Sequence, residues 1–297
     1  MEKIICIRSN KWKSLNGNVN IFIIQKMIDI GILKLTGLSS LINAWREFFS
    51  PKDVVGIKVN CLGGKMLSTH KEIALSAADR LKMIGIPESN IIIWDRTCRE
   101  LRISGFPINY GNKGIKCFGT DTYGVGYESD LTIFESIGSL MSRILTKLTT
   151  AQINMPIVKD HGLSGVTSAM KNYFGAIHNP NKYHMDNCNP FIADLNAIPA
   201  IRNKSKLIIA DALKIQYNGG PSYKPQWIYY YNGILMGRDP VAIDYISYKI
   251  IENIRKKRGM PSLKEEKREP VYIETAAKKH RLGINNPSYI KLIELTI

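Results

Sequence analysis

The sequence predicts an α/β fold, with a mostly parallel, Rossmann-like sheet and helices on both faces, built as one domain or two intimately joined lobes. Three observations lead there. Residues 54–59 (VVGIKV) and 91–94 (IIIW) are almost continuously apolar, as strands covered on both faces must be. A helical pattern lies between them and completes a strand–helix–strand unit. Finally, 44% apolar and 22% charged residues over 297 positions are ample for a large buried core.

Each element has its own justification. Residues 3–7 (KIICI) form an opening strand. The amphipathic stretch 19–42 is broken by Lys26, Asp29 and Lys34, so it reads as packed helix. Ser50-Pro51-Lys52-Asp53 introduces the strand at 54–59. In the helix expected over 71–84, Ile73, Ala74, Ala77, Ala78, Leu81 and Ile84 share one face, and Gly85 with Pro87 stops it. Further strands are expected at 152–158 and 207–210, ending in Lys159 and Asp211, and at 234–236. Asp239 suits an N-cap and Pro240 a first helical position, opening a helix to about Asn253. The core is therefore expected over 3–253 of a single 1–297 domain, with 254–297 as a basic, peripheral segment.

Composition narrows the function classes. The formal charge of +16, from 41 basic and 25 acidic residues, predicts a positive surface that attracts acidic small molecules, phosphates, nucleic acids or anionic membranes. Nucleic acid is not the expected partner, because no zinc-finger spacing, aromatic RNA-binding signature or uninterrupted basic arm occurs. Cys6, Cys61, Cys98, Cys117 and Cys188 are scattered and form no CxxC pair, so no iron–sulfur cluster or zinc ribbon is encoded locally. No apolar run is long enough for a membrane span, and the start lacks a secretory apolar region. The expectation is a cytoplasmic protein as written, exported if a leader has been removed.

Candidate functional residues gather at the carboxyl ends of the strands, where ligands bind in doubly wound sheets. The first end supplies Lys58 and Asn60, then a Gly63-Gly64-Lys65 turn that lacks Walker spacing. The second supplies Asp95 and Arg96, with Cys98 between Arg96 and Arg99 as a reactive thiol or, preferably, an apolar filler. The third is the densest. Residues 159–186 hold Lys159, His161, Lys171, Asn172, His178 and His184 among small and turn-forming residues. His161 is placed there as a general base or ligand, and Lys171 as an electrophile, Schiff-base former or anion clamp. His161, His178 and His184 are also the candidate metal ligands. Asp211 joins the ligand-binding set at a later strand end.

Five segments in order resemble one family: VVGIKVN at 54–60, GIPESNIIIWD at 85–95, VTSAMKNYFGAIH at 166–178, IIADAL at 208–213 and GILMGRDPVAID at 233–244. It is the family of domain of unknown function 362, and the likeness covers most of the chain. The resemblance implies company with iron–sulfur ferredoxin modules and, in many members, twin-arginine export leaders; this sequence carries neither signature. More distantly, the chain is similar to the nickel-pincer lactate racemases. That likeness would align Thr97-Cys98-Arg99, His161, Lys171 and His178 or His184 with their motifs, although Cys98 stands where a catalytic histidine is expected.

Together these readings lead to a redox-associated enzyme or cofactor-binding protein acting on a small anionic ligand. An external ferredoxin-type iron–sulfur partner would supply electrons, and nickel or iron is the metal the resemblances suggest. The alternatives are a non-catalytic metallocofactor or redox-partner scaffold, racemase-like proton transfer on a hydroxy acid, and nucleic-acid binding through the basic surface.

Overall fold

The structure, a computed structural model, describes residues 1–14 and 16–297. In chain order the strands are β1 (Glu2–Arg8), β2 (Val55–Lys58), β3 (Ile91–Asp95), β4 (Lys116–Gly119), β5 (Thr132–Phe134), β6 (Ile137–Ser139), β7 (Ala151–Asn154), β8 (Ile157–His161), β9 (Gly165–Thr167), β10 (Ser205–Gln216), β11 (Ile228–Tyr229), β12 (Gly233–Gly237) and β13 (Ile290–Thr296). The α-helices are α1 (Ile21–Thr36), α2 (Leu41–Arg46), α3 (Lys71–Met83), α4 (Cys98–Ile103), α5 (Ala169–Asn172), α6 (Phe191–Ala197), α7 (Pro199–Arg202), α8 (Pro240–Lys257) and α9 (Tyr272–Lys278).

One sheet of 11 strands dominates, in the order β13-β1-β12-β10-β7-β2-β3-β4, with β8 and β11 joined to β10 and β9 to β8. Along the main path only β12 is reversed, pairing antiparallel with both β1 and β10. The other neighbours there pair in parallel, which is the mostly parallel α/β arrangement expected. Alternation along the strands covers both faces. Ile5, Ile7, Ile57, Ile93 and Ile209 pack with Ile24, Met27 and Ile28 of α1 and Ile73, Ala77 and Leu81 of α3. Ile4, Cys6, Ile208 and Leu235 point the other way, onto Ile243, Ile250 and Ile251 of α8. Burying each such branched aliphatic side chain contributes about 2 kcal/mol.

Several local signals operate as expected. Asp239 accepts from the amides of Val241 (2.8 Å) and Ala242 (2.9 Å), capping α8 with Pro240 in its first turn. Gly85, at φ +98°, turns the chain out of α3 toward β3. The stretch 19–42 is two helices instead of one, because Gly37 at φ +77° ends α1 in a left-handed cap.

Two expectations about strands need correction, and both corrections shape the site. The run at 152–158 is divided at Met155-Pro156 into β7 and β8. The Met155 amide still donates to Lys58 O (2.8 Å), whereas Pro156 O accepts from the Asp211 amide (2.8 Å). Beyond that point β8 follows β10, pairing Asp211 with Ile157 and Gln216 with Lys159, while β2 ends. The sheet forks there, and polar side chains face each other across the gap. Lys159 therefore lies inside β8 and not beyond its end. Asp211 likewise sits in the middle of the long β10.

The basic segment 254–297 does more than peripheral packing. It supplies β13, hydrogen-bonded along β1, and the fully buried Arg255 and Tyr272. Along residues 290–296 the charged Lys291 and Glu294 are exposed and the apolar residues half-buried, as on an edge strand.

Candidate functional site

The fork opens into a cavity of about 310 Å³ at the carboxyl ends of β2, β3 and β8. Lys58, Asn60, Asp95, Arg96, Lys159, His161, Lys171, Asn172 and His184 all line it. These residues come from five separated stretches of sequence. Two candidates lie elsewhere. Asp211 is fully buried and accepts from the His70 amide (2.8 Å) and the His70 ring (Nδ1, 2.6 Å). Burial pushes its carboxyl upward, but His70 and the Leu213 amide outweigh this and hold it below the usual range. His178 is exposed, and its Nδ1 accepts from the Leu140 amide (3.0 Å) at the edge of the β5–β6 hairpin.

On the β2–β3 side every charge has a partner. Lys58 Nζ donates to Asp95 Oδ1 (2.6 Å) and Val59 O (2.7 Å). Asp95 also accepts from the amides of Cys61 (2.6 Å) and Arg96 (2.8 Å), and Arg96 pairs with Glu100 (2.6 Å). Gly175 is required here by space, since a Cβ on it would lie 2.8 Å from Lys58 Nζ and 2.9 Å from Asp95 Oδ1. Asn172 acts as a tie between elements. Its amide nitrogen donates to Lys58 O (3.0 Å) and Asn154 Oδ1 (2.8 Å), and its oxygen faces Lys58 Nζ (3.4 Å) and Asn60 Nδ2 (3.3 Å).

The β8–α5 side differs. Lys159 Nζ has two long contacts, Asn60 Oδ1 (3.4 Å) and Leu67 O (3.5 Å), and no salt-bridge carboxylate. Lys171 Nζ lies 3.3 Å from His184 Nε2, 3.6 Å from Cys188 Sγ and 3.8 Å from the Phe174 ring centroid. Burial pulls both ammonium groups down to about 8, against weaker opposing pulls from Asp95 and Cys61 at Lys159 and from Cys188 at Lys171. Four cationic side chains thus meet two carboxylates around the cavity, leaving a positive surplus at Lys159 and Lys171.

The hydrogen bonds fix the two imidazoles in opposite senses. His161 Nδ1 accepts from the amides of Leu163 and Ser164, both at 3.2 Å, so the neutral ring carries its proton on Nε2. Burial, then the positive charge of Lys171 and other neighbours, drives its pKa down to about 2. With Nδ1 occupied by two amide donors, the neutral His161 ring presents Nε2–H as a donor to the cavity. His184 Nδ1 donates to Pro180 O (3.0 Å), so its Nε2 lone pair accepts from Lys171. The two rings stack with centroids 5.6 Å apart.

The local fold positions this side securely. The β8–β9 hairpin turns through Gly165, at φ +72°, where a Cβ would meet Arg268 O at 2.3 Å. Asp244 of α8 accepts from the amides of Ala169 (2.6 Å) and Met170 (3.2 Å), anchoring the short α5 that carries Lys171 and Asn172. Arg268 bonds Asp160 and reaches His161 O (3.3 Å), bracing β8 from behind. Cys98 is buried, as preferred on sequence grounds, and its sulfur receives the Gly119 amide at 3.1 Å.

The donor set does not fit a resident iron or nickel ion. Among the described residues no group of three or more His, Cys, Asp or Glu is placed to hold a metal. His178 is apart from the other two histidines, and His161 presents a protonated Nε2. The five cysteines are free and buried. Phe174, Cys188 and Glu100 are not among the residues expected from sequence, and His184 is expected there as a metal ligand or as the later histidine of the racemase likeness. Their roles depend on long-range contacts, and only the crowding of histidines near Lys171 hinted at one of them.

Fold and site together define a mostly parallel α/β protein with polar side chains converging at a fork in its sheet. A family profile, Domain of unknown function (DUF362), matches residues 55–249, more than half of the chain. The chain belongs to that family, and the match spans every cavity-lining residue. A comparison with curated proteins gives no match. No helix among the described residues is long and apolar enough to cross a membrane.

Proposed function

We propose that this chain is an enzyme acting on a small organic anion in the forked cleft, with Lys159 and Lys171 neutralising the ligand. The observation that carries this reading is that two buried ammonium groups without carboxylate partners face one cavity. An anion entering there gains two charge-assisted contacts at low dielectric. His161 Nε2–H adds a neutral donor, aimed by the backbone amides on its other nitrogen. Lys171 and His184 form a hydrogen-bonded pair in which a proton can move, with Pro180 O fixing the histidine tautomer. A scaffold without turnover would not need this pair. The redox version, with an external iron–sulfur donor, rests on the family resemblance alone.

Melting temperature measured against a panel of small carboxylates and phosphate tests the proposal. A ligand at a hundred times its Kd raises stability by roughly 2.7 kcal/mol. Stabilisation that disappears in Lys159→Met and Lys171→Met variants is expected. If no anion stabilises the protein, or the variants respond like the wild type, the assignment of this cleft is wrong.

A further inference from the structure

We infer that Lys171 is a nucleophilic amine that condenses with the carbonyl carbon of a small 2-oxo acid, an assignment that rests on the anion-binding reading above. The two lysines at the cationic end of the cavity are not equivalent. Lys159 faces only oxygen atoms, Asn60 Oδ1 and Leu67 O, at the long range of hydrogen bonding. It is placed to receive a carboxylate and nothing in its surroundings removes a proton from it. Lys171 instead faces a base. His184 Nε2 is 3.3 Å away with its lone pair directed to the amine, because Nδ1–H is held by Pro180 O at 3.0 Å. A nucleophile, an adjacent base and a group orienting that base are the three parts of an activated nucleophile.

The remaining contacts of Lys171 ease its passage from the ammonium ion that meets the ligand's charge to the amine that attacks, once a proton has moved to His184. They are the Cys188 sulfur and the Phe174 ring, with no carboxylate to hold the charge. Burial works in the same direction, bringing Lys171 to about 8. Lys58, in the same cavity, is the contrast: Asp95 at 2.6 Å keeps its charge neutralised and its hydrogen bonds directed. His161, stacked on His184 and lining the same cavity, presents Nε2–H to polarise a carbonyl oxygen.

The step balances without a co-reactant. Lys171 Nζ adds to the carbonyl carbon as the C=O π pair moves to oxygen, giving a carbinolamine. The oxygen then leaves as water with the two amine hydrogens, one passed through His184, and a C=N bond forms. That imine, once protonated, is an electron sink that eases loss of a proton or of carbon dioxide from the neighbouring carbon.

The experiment is reductive trapping on the whole wild-type chain. Protein is incubated with pyruvate, glyoxylate or 2-oxoglutarate and cyanoborohydride, digested, and mapped by mass spectrometry, with melting temperature recorded for the same acids. The expected result is a saturable reduced adduct on Lys171, lost in Lys171→Arg and weakened in His184→Ala. If an acid raises the melting temperature yet Lys171 carries no adduct, imine formation is overturned while anion binding stands. Absence of both adduct and stabilisation overturns both readings. Adducts confined to surface lysines count as absence. Should Lys171→Arg fail to fold, the wild-type peptide map decides alone.

Discussion

The two walls of the cleft carry the same kinds of side chain and treat them in opposite ways. On the β2–β3 wall, Lys58 and Arg96 are matched by Asp95 and Glu100. On the β8–α5 wall, Lys159 and Lys171 meet amide and carbonyl oxygens, an imidazole, a thiol and an aromatic ring. A buried pair that is fully bonded is architecture, since breaking it is costly and its charge is unavailable to a ligand. A buried charge without a partner reduces stability, and its use lies in what it can bind or transfer.

The sharpest way to break this contrast is to delete one partner on each wall. Asp95→Ala leaves the Lys58 ammonium buried and unpaired and is expected to destabilise by about 3–5 kcal/mol. Lys171→Met should do the reverse. A lysine pulled to about 8 from its ordinary 10.5 carries a penalty of about 3 kcal/mol at neutral pH, part of which the variant recovers. Urea denaturation of both variants checks the pair of signs, and equal losses would mean the walls are alike.

The pH dependence follows from the same two lysines. Below pH 8 both the folded and unfolded chains are protonated at Lys159 and Lys171, and the penalty is constant. Between about 8 and 10.5 the folded chain binds fewer protons than the unfolded one, so this contribution to stability rises with pH. Buried thiols oppose it: Cys6 and Cys117, raised from 9.0 to about 12, lose stability over their own window. The difference between wild type and a Lys159→Met, Lys171→Met double variant isolates the lysines. That difference should shrink across pH 8 to 10.5 in thermal melts.

Smaller effects refine the picture. Gly175→Ala should cost about 1–3 kcal/mol by forcing the Lys58–Asp95 pair apart, measurable by denaturant midpoint. His178→Ala should change stability by less than about 1 kcal/mol and leave anion-induced stabilisation intact, because this exposed ring bonds Ser139 and Leu140 at the end of the β5–β6 hairpin, away from the cavity.

Much of the fold was legible because buried parallel strands are written as apolar runs. VVGIKV and IIIW gave β2 and β3, and with them Lys58 and Asp95 at the carboxyl ends. The fork was not legible. Residues 152–158 read as one strand because nothing local shows that Pro156 O turns to Asp211 while Met155 stays with Lys58. Asp211 read as a strand end because a carboxylate inside an apolar run looks like a stop; His70, far away in sequence, is what satisfies it. Crowding in residues 159–186 pointed to side chains of which Lys159, His161, Lys171, Asn172 and His184 line one cavity, but crowding does not assign tautomers. The amides of Leu163 and Ser164 made His161 a donor, and Pro180 O made His184 the acceptor beside Lys171.

Arg268 lies outside the family-matched residues 55–249, yet it grips Asp160, the immediate neighbour of both Lys159 and His161. The matched span therefore covers the cavity-lining residues, while the guanidinium that braces their strand comes from beyond it. Loosening that guanidinium reaches Lys159 and His161 together through the backbone, without touching either side chain.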